Sequence, residues 1–205
     1  MTRRNPARNQ ERILRAATEE FARYGLGGAR VDRIAARAGA NKRMLYYYYG
    51  NKEDLFLKVL EARYAHIRRA ELGLHLLDLD PVQGVRRLVE FTWDYYLKHP
   101  EFLTLLNSEN LHRARHLKRS RGIAAMHSPL IALLRDLLLR GESAGKFRKG
   151  VDPVQLYISI AALGYFYLSN RHTLSTIFER DLLAPKSKAE RLKHMTELVL
   201  GYLLR

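Results

Sequence analysis

The 205-residue chain contains no cysteine. Disulfides, thiolate nucleophiles, cysteine redox sensing and cysteine-ligated zinc are thereby excluded. No apolar run approaches the roughly 20 residues that span a bilayer. The opening residues, MTRRNPARNQ, are basic and lack the apolar core of a signal peptide. A soluble, cytoplasmic protein is the expectation. P-loops, dinucleotide fingerprints and H-E-x-x-H are missing, as are repeats and low-complexity segments. Convincing period-2 strands and βαβ alternation are missing too, which leaves an all-α fold. Acidic residues are scarce: 21 Asp and Glu stand against 36 Lys and Arg, a net charge of +15.

That surplus calls for an acidic partner, nucleic acid before a membrane surface. It is concentrated at one end. Residues 1–50 carry 11 basic and 4 acidic side chains, net +7, and the other 155 residues carry net +8. A DNA-binding segment near the N-terminus fits this better than a uniformly basic shell.

Residues 1–8 read as a flexible basic arm carrying Arg3, Arg4 and Arg8. A first helix over 9–24 lines up Ile13, Ala17, Phe21 and Tyr24 as one apolar stripe, and Gly25, Gly27 and Gly28 stop it. A second, over 31–38, buries Val31, Ile34, Ala35 and Ala38. Gly39 follows, at a position suited to positive φ. A third spans 42–48, with Leu45 and Tyr49 directed to the core. Asn51 and Asp54 then open a fourth helix reaching about residue 72. Further helices are expected over 81–98, 100–116, 123–143, 153–171 and 188–204, with a loop or short helix over 172–187. Pro81, Pro100 and Pro153 occupy first-turn positions, where proline is tolerated.

Two short helices around Gly39 suit a helix-turn-helix whose second helix enters the major groove N-terminus first. That end reads Asn41, Lys42, Arg43. Lys and Arg are the commonest partners of guanine O6 and N7. Tyr46, Tyr47 and Tyr48 point about 100° apart in succession, so they cannot all face a core. An exposed tyrosine offers a hydroxyl to phosphate and a ring to a thymine methyl. Lys52 lies at a helix start, which attracts phosphate. The competing reading makes the four tyrosines core and Lys42 and Arg43 a solvated face.

The pattern ERILRAATEEFARYGLGGARVDRIAARAGANKRMLYYYYGNKEDLFLKVLE resembles the DNA-binding domain of the TetR family of transcriptional regulators. It has that family's amphipathic first helix, IA-x-x-AG turn, LYYYF-like recognition helix and K-E-x-L start to the fourth helix. GESAGKFRKGVDP, residues 141–153, resembles a connector in the family's C-terminal domains. The resemblance implies an N-terminal three-helix helix-turn-helix domain over 9–65 and a larger helical ligand-binding and dimerisation domain over 66–205. It places Lys42, Arg43 and Tyr46 at base-contacting positions, and Met44, Tyr47, Tyr48 and Lys52 against the phosphate backbone. Two positions depart from the pattern. The family's threonine before the second helix is replaced by Ala29 and Arg30; Arg30 keeps a phosphate contact available but no cap. Tyr49 stands where phenylalanine is usual, and its hydroxyl needs a partner.

The resemblance further implies a homodimer through helices near 153–171 and 188–204, a palindromic double-stranded operator and a small-molecule effector. The first of these helices is apolar almost all round and requires burial on several sides. The second aligns Leu192, Met195, Leu198, Val199 and Tyr202. Trp93, Tyr96, Phe102, Asn107, Met126, Tyr157, Tyr165 and Phe166 are the expected pocket lining, suited to a mostly apolar effector. Aromatic and Met residues at helical spacing are, however, more often plain core.

No cofactor, metal or catalytic set is expected. Residues 141–145 match G-x-S-x-G, but Ser143 follows a helical pattern rather than a strand. Glu109, His112 and His116 have metal-ligand spacing, yet they lie within the basic run HRARHLKR and read as solvated surface. The whole is read as a ligand-responsive regulator, with a repressor favoured. A basic nucleoid- or membrane-surface protein and a helical enzyme are the alternatives.

Overall fold

The computed structural model describes residues 6–204. It is helical, with ten α-helices among the described residues. The chain divides into two compact units, Met1–His66 with Pro100–Ala124, and Ile67–His99 with Ala125–Arg205.

In the first unit, α1 (Pro6–Gly28), α2 (Val31–Ala38), α3 (Lys42–Tyr49) and the N-terminal part of α4 (Lys52–Leu72) join α6 (Pro100–Leu111). Their core holds Ile13, Ala17 and Phe21 from α1, Ile34 and Ala38 from α2, Leu45 from α3, Phe56 and Val59 from α4, and Leu105 from α6. Phe21 meets Phe56 edge-on at 5.1 Å between ring centroids. Each such ring, fully buried, contributes about 1.5–3 kcal/mol.

Several expectations need correction here. The helix begins at Pro6, so Arg8 is helical and not part of an arm; Arg3 and Arg4 lie outside the described residues. Tyr24 leaves the core stripe and is exposed, with the Arg33 guanidinium 4.2 Å from its ring centroid. At Gly25 (φ 64°, ψ 177°) the α1 backbone kinks before a last turn.

The helix expected over 100–116 stops at Leu111. Arg113 and Ala114 take positive φ, and the chain folds back. Glu109 is the cause. Its Oε1 accepts the backbone N–H groups of His116 and Leu117, both at 2.9 Å, and its Oε2 lies 2.6 Å from His116 Nδ1. Glu109 and His116 are both buried, so the solvated reading of this pair is overturned. Arg115 reaches Glu53 at 2.7 Å, Arg119 pairs with Asp54, and Ser120 donates to Glu61 at 2.6 Å. The returning segment is thus tied to the first turns of α4.

In the second unit, α5 (Pro81–Lys98), α8 (Pro153–Ser169) and α10 (Pro185–Leu203) pack on one another. The helices α7 (Ile123–Ser143) and α9 (Arg171–Ile177) complete the set. Asp80 and Asp152 cap α5 and α8, accepting the N–H groups of Val82 at 3.0 Å and Val154 at 2.7 Å. Pro81 and Pro153 follow at first-turn positions. Ser143 ends α7 and enters a turn, with a helix before it where a nucleophile elbow needs a strand. Phe147 then folds back, wholly buried, onto Gly141. A Cβ at that glycine would lie 1.9 Å from the ring.

Candidate nucleic-acid interface

The turn between α2 and α3 is set by Gly39, whose φ of 57° and ψ of 39° lie in the left-handed region. Its N–H caps α2 through Ala36 O at 3.1 Å. The Arg12 guanidinium donates to Ala38 O and occupies the space a side chain at 39 would take. A cation there also complements the C-terminal end of the helix.

The start of α2 has no side-chain cap of its own, and a distant residue serves instead. Arg30 is the N-cap residue and makes no side-chain cap bond. Instead Glu20, fully buried on α1, accepts the Arg30 backbone N–H at 3.0 Å and Arg33 Nε at 2.6 Å. Arg37 lies 3.6 Å from the other carboxylate oxygen.

Asn41 caps α3, its Oδ1 accepting the Met44 N–H at 2.9 Å. Leu45 anchors the helix from below. Lys42, Arg43, Tyr46 and Tyr47 are exposed on the other side, Tyr47 to 83%. Tyr48 is half-buried and edge-on to both neighbouring tyrosines. Met44 is likewise half-buried. Tyr49 turns inward and donates its hydroxyl to Gln10 O at 2.9 Å. Burial raises its pKa, which keeps the donor in place.

Lys42 is paired with Asp32 on α2, and Arg30 lies 3.9 Å from the same carboxylate. The Lys42 hydrogen bond holds the Asp32 carboxyl below its ordinary value, so it is charged near neutrality. Lys52 is half-buried, with Nζ 3.3 Å from Ala29 O, so it braces the turn before α2. Arg30, Lys42, Arg43, Tyr46 and Tyr47 therefore form the open part of this surface.

The expected pocket residues are divided between the two units. Phe102 and Asn107 belong to the first unit, where Phe102 packs on Tyr64 with ring centroids 5.5 Å apart. The other six belong to the second unit. Trp93 is buried edge-on to Tyr167 at 5.6 Å. Tyr96 lies against Gly164, where a Cβ would meet its ring at 3.1 Å. Tyr157 accepts a hydrogen bond from buried Arg68 at 3.0 Å. Tyr165 and Met126 are half-buried. Phe166 is 59% exposed and shares an outward apolar groove with Leu156, Leu163, Leu198 and Tyr202. It therefore lies on an outward side of α8, and an all-round apolar helix gives no sign in sequence of which side faces its own core.

A capped, glycine-turned helix pair with a cationic, aromatic outer face is a DNA-binding helix-turn-helix. Comparison with known proteins places it more narrowly. The model of the "Bacterial regulatory proteins, tetR family" matches residues 13–59, and that of the "Tetracyclin repressor-like, C-terminal domain" matches residues 81–199. The chain belongs to the TetR family and is a transcriptional regulator. It is 42% identical over 198 residues to the HTH-type transcriptional repressor NicS of Pseudomonas putida, covering 97% of this chain and 93% of that one. It is 44% identical over 113 residues to the HTH-type transcriptional repressor SCO4008 of Streptomyces coelicolor, 54% of each chain. A TetR family transcription regulator from Marinobacter aquaeolei shares the fold, with a TM-score of 0.71 at 20% identity, over 97% of this chain and 96% of that one. Among the described residues, no helix is long and apolar enough to cross a membrane.

Proposed function

We propose that the protein is a repressor that binds a palindromic operator as a homodimer and releases it when a small effector binds the C-terminal unit. One observation carries this reading: Lys42, Arg43, Tyr46 and Tyr47 project from a helix fixed by Asn41 at its start and by Leu45 underneath. Lys42, Arg43 and Tyr46 address bases, whereas Met44, Tyr47, Tyr48 and Arg30 serve the backbone. Lys52 supports this surface through Ala29 and adds positive charge beside it.

The homodimer is supported by the two faces of α8. Leu156, Ile160, Gly164 and Leu168 are buried within the chain, while Val154, Ile158 and Phe166 are exposed. On α10, Met195 and Val199 are buried, and Leu198 and Tyr202 are exposed. Isolated surface apolar residues are ordinary, but a contiguous groove marks a docking surface. A second copy of the same two helices would cover it as a self-complementary interface. Two recognition helices about 34–36 Å apart would then meet successive major grooves on one side of the duplex.

Selection of bound duplexes from random DNA, followed by footprinting, tests the reading. The expected result is a two-fold symmetric protected site bound by two chains. Uniform protection without symmetry would refute it.

A further inference from the structure

Arg68 and Glu71 lie one helical turn apart on the last part of α4, 4% and 1% exposed. Their charged ends are 3.0 Å apart, Nε to Oε2, but among the described residues neither atom has a hydrogen-bond partner, and Arg68 Nη1 has none either. Among the described residues, the hydrogen bond of the guanidinium runs from Nη2 to the Tyr157 hydroxyl at 3.0 Å, and its carbon lies 5.2 Å from that ring's centroid. A pair built only for stability would satisfy these groups, because an unmet donor in the interior forfeits its hydration without return. Arg68 offers a planar fork with unmet donors at Nε and Nη1 and a second proton on Nη2, which matches a carboxylate in two-point contact.

We propose that Arg68, Glu71 and Tyr157 form the polar corner of the effector site, and that the effector carries a carboxylate on an apolar body. This rests on the reading that the C-terminal unit binds an effector. The incoming carboxylate takes the Nε and Nη2 edge of Arg68, where Glu71 now stands, and Tyr157 keeps the other Nη2 proton. Glu71 is the internal counter-ion that the effector displaces. Burial pushes the Glu71 carboxyl up to about 7, against the lowering pull of Arg68. It therefore accepts a proton near neutrality when the effector's charge arrives, and the buried corner keeps one positive and one negative charge. The groups set against Glu71 are Arg68 from its own helix and Tyr157 from α8. Burial raises the Tyr157 hydroxyl as well, so it stays neutral. For the apolar body, the same face of α8 continues from Tyr157 to Gly164, seven residues on, where the Tyr96 ring lies close.

The test uses the full chain with benzoate and hexanoate as probes and benzamide as the neutral match to benzoate. Calorimetry should show one of the acids binding, with proton uptake near neutral pH, and benzamide binding at least about tenfold more weakly. Arg68→Met should abolish the preference for acid over amide. Glu71→Gln should keep acid binding and remove the proton uptake. Where Arg68→Met yields little folded chain, Arg68→Lys, which keeps the charge but loses the fork, should weaken acid binding by about tenfold. Equal binding of benzoate and benzamide, undiminished acid binding in both Arg68 variants, or no acid binding at all would overturn the proposal. The reading beneath it fails separately: acid binding through Arg68 that leaves operator affinity unchanged keeps the anion corner and removes its effector role. A neutral compound that releases operator equally from the wild-type chain and Arg68→Met keeps the effector reading and removes the corner.

Discussion

The carboxylate of Glu20 accepts the backbone N–H of Arg30 at 3.0 Å, so α2 is capped from α1 and not from its own flank. Glu20→Ala should remove that cap and the anchor for Arg33 together. Arg33 and Arg37 are more than a third exposed and can return to water, so the cost is less than that of stranding a buried charge. A loss of about 1–3 kcal/mol is expected in denaturant unfolding. Operator affinity should fall with it, because α2 positions the turn before the recognition helix. An unchanged unfolding midpoint would show that the cap contributes nothing.

Gly39→Ala should destabilise the first unit by about 1–2 kcal/mol through backbone strain at positive φ. The new methyl also meets the Arg12 guanidinium. Pairing the substitution with Arg12→Ala separates the two costs. The strain persists in the double variant, while the steric part disappears. Thermal melts of the four chains give the answer.

Lys42→Ala with Arg43→Ala should leave the helical signal and melting temperature intact and weaken operator binding. Each side chain that reads a base edge is worth about 1–3 kcal/mol of discrimination. Asp32→Asn should act in the opposite direction on random duplexes. It releases Lys42 and removes a negative charge close to phosphate, so non-specific binding should tighten and its salt dependence steepen. Titrations at several salt concentrations measure both effects.

Glu71→Gln should stabilise the folded chain above neutral pH. The buried carboxyl ionises near 7, against an ordinary value of 4.5. Between those two values the unfolded chain has released a proton that the folded chain still holds, so wild-type stability falls as pH rises. The difference amounts to about 3 kcal/mol at full extent. The variant and wild type should match below pH 4.5 and diverge up to pH 7. Parallel curves throughout would refute the assignment.

Helices whose signals are local were legible in the sequence. Proline at the start and polar residues at the end bounded α5, and Gly39 set the end of α2. The exposed face of α3 followed from helical rotation alone. What was not legible depended on partners far along the chain. Glu20 acts ten residues away on Arg30, and Glu109 ends α6 by turning its carboxylate to the returning loop. The basic run around His116 suggested solvent, although the imidazole is buried against Glu109 and Phe56. The contact of the Lys52 ammonium with the Ala29 carbonyl, 23 residues back, had no signal in the sequence. Phe166 illustrates a different ambiguity. Periodicity cannot separate an inner face from an outer one when both are apolar.

Phe147 fills the room that a side chain at Gly141 would need. The two positions consequently share one allotment of volume. Related chains with a larger residue at the first position should carry a smaller one at the second. A change at either site alone should loosen the bend that follows α7, while the reciprocal exchange should restore it.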